Sequence, residues 1–258
     1  MKPTAQEAFW RLWALKEVVV HSMSIPPKAE LEESAATWSQ EDRDEFNRSC
    51  KEQMEKRIAG MRKTGLWEHA SPKEKEFLQT YGFQMGEHQQ VSASWKVEAA
   101  GMLMWALRLI AEWPSIEVQI EDSDVLQAVP QPAEYKPKFR TRKEISLKRD
   151  FIDLWEWRVR ERQLADEGRP FRPDAGMRKS GLRTSDDIVR KVAKEALEKG
   201  ELPELIHGDF VYRGHAFRDL PADDYYEAAS IIGERHYALN WLCGFAPDNE
   251  WDETITDT

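Results

Sequence analysis

Two groups of side chains in this sequence have the types and spacing to do chemistry. The first is ionic. Glu98 lies in the stretch from Ser94 to Trp113, SWKVEAAGMLMWALRLIAEW, one helical turn from Trp95 and one from Met102. A carboxylate on so apolar a face must be paired, hydrogen-bonded or protonated. Arg158 repeats the anomaly with the opposite sign, on a face made of Phe151, Leu154 and Trp155, and Arg235 flanks the packed segment from Tyr237 to Leu242. Orphan charges of opposite sign among aromatics most simply solve each other. The expectation is a buried polar network of Glu98, Arg158 and Arg235. Glu98–Arg158 is its first pairing and Glu98–Arg235 its second, with the guanidinium on a Trp face. Perturbed carboxylates also mark active sites. Helix-borne Glu and Arg amid Trp more often hold packing together, so no catalytic residue is assigned.

The second group is His207, Asp209, His215 and His236, with Glu234 beside the last. His-x-Asp plus two further histidines has the donor types of a hydrolytic metal site. No HExxH, paired-Asp or CxxC motif accompanies it. His236, on one helix face with Leu239, has the setting of a hydrogen-bonded core histidine. No metal and no cofactor are therefore expected, and a metal-dependent hydrolase using these four residues is the alternative reading. GxSxG, GxxxxGK[ST] and GxGxxG are all missing from the chain, which gives acyl transfer and nucleotide binding no support.

A third cluster is suited to binding. Asp248, Glu250, Asp252, Glu253 and Asp257 surround Trp251 near the end of the chain. Such a tail can dock on a basic partner, and its Trp argues for partial ordering. The whole chain leans the same way, with a formal net charge of -10 over 258 residues. That balance excludes non-specific adhesion to nucleic acid or anionic membranes, which rests on clustered Lys and Arg, and it fits a basic protein partner. Cys50 and Cys243 lie far apart and suit a reducing compartment. Lys2 is followed by no uninterrupted apolar core, and the longest apolar run is too short to span a bilayer. A cytoplasmic location is expected.

The elements that must position these residues are helices. Spacing and caps predict helices over 4–22, 28–38, 39–63, 71–81, 94–113, 146–166, 185–199 and 221–242. The segment 82–92 reads as a loop, and 209–217 as a small hairpin around Gly214. The Pro130–Pro137 stretch reads as a loop crossing one domain. Eleven Trp give such a bundle much area to bury, with Trp95, Trp105, Trp155 and Trp241 expected in one core. Gly60–Leu66 (GMRKTGL) and Gly176–Leu182 (GMRKSGL) agree at six of seven positions. Their flanks do not align, which reads as one local solution used twice rather than a duplication.

Two signatures carry a resemblance. One is Trp95-x-x-Glu98-Ala99 followed by Leu103-x-Trp105-Ala106-Leu107. The other runs from Glu234 to Leu242, followed by Trp251-Asp252 and Thr256-Asp257-Thr258. Together with Trp155-x-x-Arg158 and the segment 210–220 they resemble a bacterial family, domain of unknown function 4272. The likeness is close over 94–258 and loose over 1–92. It implies a mostly helical cytoplasmic domain and supplies no catalytic residue. The expectation is thus a mostly α, Trp-rich multi-helix bundle with at most a small β-hairpin, forming a single domain over 1–258. Its expected role is a non-catalytic protein-interaction module, most concretely an immunity protein that neutralises a basic toxin.

Overall fold

The computed structural model describes residues 1–132, 135–169 and 172–256. Helix boundaries follow the caps. Thr4, Ser39, Ser71, Thr141 and Thr184 each accept the N–H of the residue three further on, and Glu7, Asp42, Glu74, Glu144 and Asp187 return the bond to the cap. These reciprocal boxes satisfy donors that every helix start leaves free. They open α1 (Ala5–Met23), α3 (Gln40–Thr64), α5 (Pro72–Leu78), α9 (Arg142–Asp166) and α11 (Ser185–Glu198). Between and after them run α2 (Lys28–Ser34), α4 (Leu66–His69), α6 (Glu87–Ser94), α7 (Lys96–Ala106), α8 (Asp122–Ala128), α10 (Ala175–Lys179) and α12 (Ala222–Cys243). Three short antiparallel strands, β1 (Leu205–Ile206), β2 (Asp209–Tyr212) and β3 (His215–Ala216), lie in sequence order. The protein is a mostly α, Trp-bearing bundle with a small sheet. Among the described residues no helix is long and apolar enough to cross a membrane.

Buried side chains form two clusters that share α1. Its Phe9, Leu12, Leu15 and Val19 join α7, α9, α12 and the sheet. Its Ala14 and Val18 join α3, α4, α5 and α6. The Pro-rich stretch is fastened down: the Pro130 carbonyl accepts from Trp13 Nε1 at 3.1 Å, and the Tyr135 hydroxyl donates to the Leu107 carbonyl at 2.6 Å.

Three expectations need correction. The segment 82–92 is largely helical, because α6 runs into α7 with only Trp95 between them. Trp95 is therefore half-buried at the junction, whereas Trp105, Trp155 and Trp241 share the larger core. The 94–113 helix stops at Ala106, and Arg108 takes a left-handed φ of 63°. The chain can leave the helix there because Arg140, distant in sequence, supplies donors. Its Nε reaches the Trp105 carbonyl at 2.8 Å, and its Nη2 those of Ile110 and Ala111 at 3.0 and 2.7 Å.

The near-repeat is a helix stop. Gly65 and Gly181 both have left-handed φ, 77° and 88°, and donate to the carbonyls of Arg62 and Arg178. Glycine takes that conformation without strain. The Arg-Lys pairs fall in the last turns of α3 and α10, where cations suit the helix dipole.

Packing and burial make two predictions. Trp105 is 5 % exposed and packs edge-on to Trp113, with centroids 4.9 Å apart. Trp105→Ala should cost about 3–5 kcal/mol, and Trp95→Ala less than about 1 kcal/mol, in urea denaturation. The second prediction concerns Glu156 on α9, whose Oε2 has no partner among the described residues. Burial, only partly opposed by Arg160, raises its pKa to about 7. A carboxyl raised on folding contributes stability that is complete below its unfolded value and is lost as pH rises through its folded value. Glu156→Gln should therefore raise unfolding free energy by roughly 1–3 kcal/mol near pH 8 and leave it almost unchanged near pH 4. Melting curves across that range check the sign.

Candidate functional site

Glu98 on α7 and Arg235 on α12 are both fully buried, and Arg235 Nε donates to Glu98 Oε2 at 2.7 Å. The rest of the guanidinium is spent on the loop 107–121. Nη1 reaches the Pro114 and Ser115 carbonyls at 3.1 and 2.7 Å, and Nη2 the Val118 carbonyl at 2.9 Å. Glu98 Oε1 accepts the Ile120 N–H at 2.7 Å. The loop docks where α7 carries Gly101, whose added Cβ would come within 2.0 Å of Ile120 Cδ1.

Arg158 belongs to a different cluster, so Glu98–Arg158 is not formed and the three residues are not one network. Arg158 faces the sheet, where Asp209 meets it in a fork: Nε to Oδ1 and Nη2 to Oδ2, both at 2.7 Å. Its guanidinium lies over Phe217 at 5.1 Å rather than over a Trp. Asp209 also accepts the N–H of Phe210 at 2.8 Å and those of Arg218 main chain and Nε at 3.0 and 3.2 Å. Arg218 reaches on to Asp186.

The two buried carboxylates differ electrostatically. Burial pushes both upward. For Asp209 the fork to Arg158 and the backbone donors outweigh burial, and its pKa is lowered. Glu98 has only Arg235 and the Ile120 N–H against burial, and its pKa is raised. The number of donors decides which effect wins.

The histidines are not gathered. Among the described residues no three His, Cys, Asp or Glu side chains stand where one metal ion could be held. His207 is exposed in the turn between β1 and β2, His215 is exposed on β3, and Asp209 is occupied by arginines. His236 is fully buried, with Nε2 3.0 Å from Asp153 Oδ1 and 3.1 Å from Asn240 Nδ2. Burial pushes its pKa below the ordinary value, against the opposing pull of Asp153.

The acidic tail is only in part a surface. Trp251 is 3 % exposed, edge-on to Tyr237 and Trp241 at 5.0 and 5.3 Å, with Arg11 over its ring. Asp252 accepts the Ser71 hydroxyl at 2.7 Å and the Lys73 N–H at 2.9 Å, which fastens the C-terminal turn to α5. Trp251 is thus a packing residue, and half-buried Asp252 is already bonded to α5. Asp248, Glu250 and Glu253 are exposed, and Asp257 lies outside the described residues.

A stronger acidic surface is one that sequence reasoning missed. Glu30, Glu32, Glu33, Glu41, Asp42, Asp44 and Glu45 are all exposed on α2 and the start of α3. Lys28 and Arg43 are the only basic residues in 28–45. Arg43 turns inward, over Phe83 at 5.5 Å and onto the Ala35 carbonyl. Half-buried Trp38, Phe46 and Phe83 pack edge-on beside it, with centroids 5.3 to 6.3 Å apart. The run Glu41-Asp42-Arg43-Asp44-Glu45 was the available signal, and it reads equally as an ordinary solvated helix start.

The model of the family described as Domain of unknown function (DUF4272) matches residues 35–178, more than half of the chain. The chain belongs to this family. The DUF4272 match begins well before 94, in the region that resembled the family only loosely, and it ends before α11. It contains Glu98 and Arg158 and leaves out both of their partners, Arg235 and Asp209. No curated protein and no solved structure matches the chain.

Arg235 does two jobs, so its pair with Glu98 should respond unlike a simple ion pair. Glu98→Gln should destabilise by about 3–5 kcal/mol by leaving a buried guanidinium uncompensated. Replacing both partners, as Glu98→Leu with Arg235→Met, should not restore stability, because the Pro114, Ser115 and Val118 carbonyls would lose their donors. Denaturation of the single and double variants measures both effects.

Proposed function

We propose that this DUF4272 protein is a non-catalytic, cytoplasmic interaction module for a basic protein, in its most specific form an immunity protein against a basic toxin. One observation carries the reading: α2 and the start of α3 combine seven exposed carboxylates with a half-buried aromatic group, Trp38, Phe46 and Phe83. Aromatic anchors give an interface its affinity, and a charged rim sets encounter rate and partner choice. The buried ionic groups support the same reading from the other side. Glu98, Arg158, Asp209, Arg235 and His236 all hold structural partners, which leaves none of them poised on a substrate.

The test is capture of a basic partner from the native host at low salt. Its affinity should fall at least about tenfold between roughly 50 and 500 mM salt. The combined change Glu41→Lys, Asp44→Lys and Glu45→Lys, which spares the capping Asp42, should abolish capture while the protein stays folded, with a modest loss of stability because lysines replace acids at the start of α3. Recovery of no specific partner, or capture indifferent to the charge reversal, would refute the proposal.

A further inference from the structure

Between α9, the start of α11 and the turn after β3 lies a cleft of about 260 Å³. It is somewhat smaller than the sites that take drug-sized molecules, so its occupant is small. One wall is a single face of α9, because Arg158, Glu161, Arg162, Ala165 and Asp166 recur at three- and four-residue steps. Ser185 and Val189 line the cleft from α11.

Most charges here are matched. Arg162 pairs with Asp166 at 3.6 Å, and Arg218 with Asp186. Glu161 is the exception. It is 6 % exposed, and no described Lys, Arg or His side chain pairs with it. The Ser185 hydroxyl donates to its Oε2 at 2.7 Å, which draws the carboxylate across the cleft toward α11. Its Oε1 accepts no hydrogen bond from a described residue, and that oxygen is not sealed within the protein. A carboxylate so buried with no cation beside it is costly.

Arg158 offers the converse. It is 4 % exposed and spends Nε and Nη2 on Asp209. Its Nη1 donates to no described residue and is likewise not sealed. Arg158 and Glu161 lie one turn apart on the same face of α9, yet they form no ion pair with each other. The cleft therefore holds one unused charged acceptor and one unused charged donor, with Ala165 and Val189 as its apolar lining. A ligand that satisfies both carries an ammonium and a carboxylate on a small apolar body.

We infer that this cleft binds a small zwitterion, an α-amino acid with a short aliphatic side chain, its ammonium on Glu161 Oε1 and its carboxylate on Arg158 Nη1. Arg158 keeps its fork to Asp209 in doing so. The inference uses none of the acidic residues of α2 and α3, so it and the partner proposal stand or fall separately.

Alanine is the probe, with propionate and ethylamine as its two halves: the first lacks the ammonium and the second the carboxylate. Titration of the isotope-labelled full chain, followed by amide resonances, should show saturable shifts at Ala165, Ser185 and Val189 with alanine. Each half should bind more weakly by about tenfold or more, the worth of one charge-assisted hydrogen bond. Glu161→Gln, which keeps an acceptor for the Ser185 hydroxyl, should weaken alanine by about tenfold or more and leave propionate unchanged. Ala165→Trp, at an exposed position that lines the cleft, should remove the shifts while the protein stays folded. Four results would overturn the inference: no saturable shifts with alanine, equal affinity for alanine and either half, or unchanged alanine binding in a folded Glu161→Gln or a folded Ala165→Trp protein.

Discussion

The architecture depends on how the loop 107–121 satisfies its backbone. This long connection between α7 and α8 carries no helix or strand, yet much of it lies against the core. Buried carbonyls without donors are costly. Two arginines meet the need. Arg140 serves Trp105, Ile110 and Ala111, and Arg235 serves Pro114, Ser115 and Val118. A guanidinium presents five N–H donors in a fixed fork, so one side chain can hold several carbonyls at once; a lysine ammonium could not reproduce that geometry. Once Arg235 is buried for this purpose its charge needs a counter-ion, and Glu98 supplies it. The pair is thus less a strut between α7 and α12 than the electrostatic balance for a loop clamp.

The same device recurs at other irregular segments. Arg162 holds the Phe217 and Leu220 carbonyls after the sheet, and Arg142 ties the Pro3 and Leu242 carbonyls together. Arg213, at the turn between β2 and β3, donates from Nε to the Glu117 carbonyl and forks onto Glu227. These bonds join segments far apart in the chain. They also tie the DUF4272-matched residues to the chain beyond residue 178, because the pairs Glu98–Arg235 and Arg158–Asp209 each have one member on either side of that point.

The legible part of the candidate site was its set of misfits. Glu98, Arg158 and Arg235 stood out because a charge at an apolar helical position is visible in the period of a single segment. Their partners were not visible. Both arginines offered Glu98 the same local evidence, and the choice fell to Arg235 because α12 crosses α7 at that level while Arg158 looks toward the sheet. Asp209 sat in a His-x-Asp pattern that suggested a metal ligand, and only the placement of β2 beside α9 revealed it as the partner of Arg158.

The sequence by itself determined where most helices begin and where several end. The reciprocal caps at Thr4, Ser39 and Ser71, the glycines at 65 and 181, and the turn at Gly214 all act across a few residues of one chain segment, so backbone chemistry fixes them locally. Tertiary structure decided the early end of α7, the burial of Trp251 and the use of Asp252 as an anchor for α5. Each of these rests on a donor or a surface supplied from far along the chain: Arg140 for the first, Tyr237 and Trp241 for the second, Ser71 and Lys73 for the third. No local pattern encodes such a partner, because hydrogen bonds and packing act through space and spacing along the chain does not measure it.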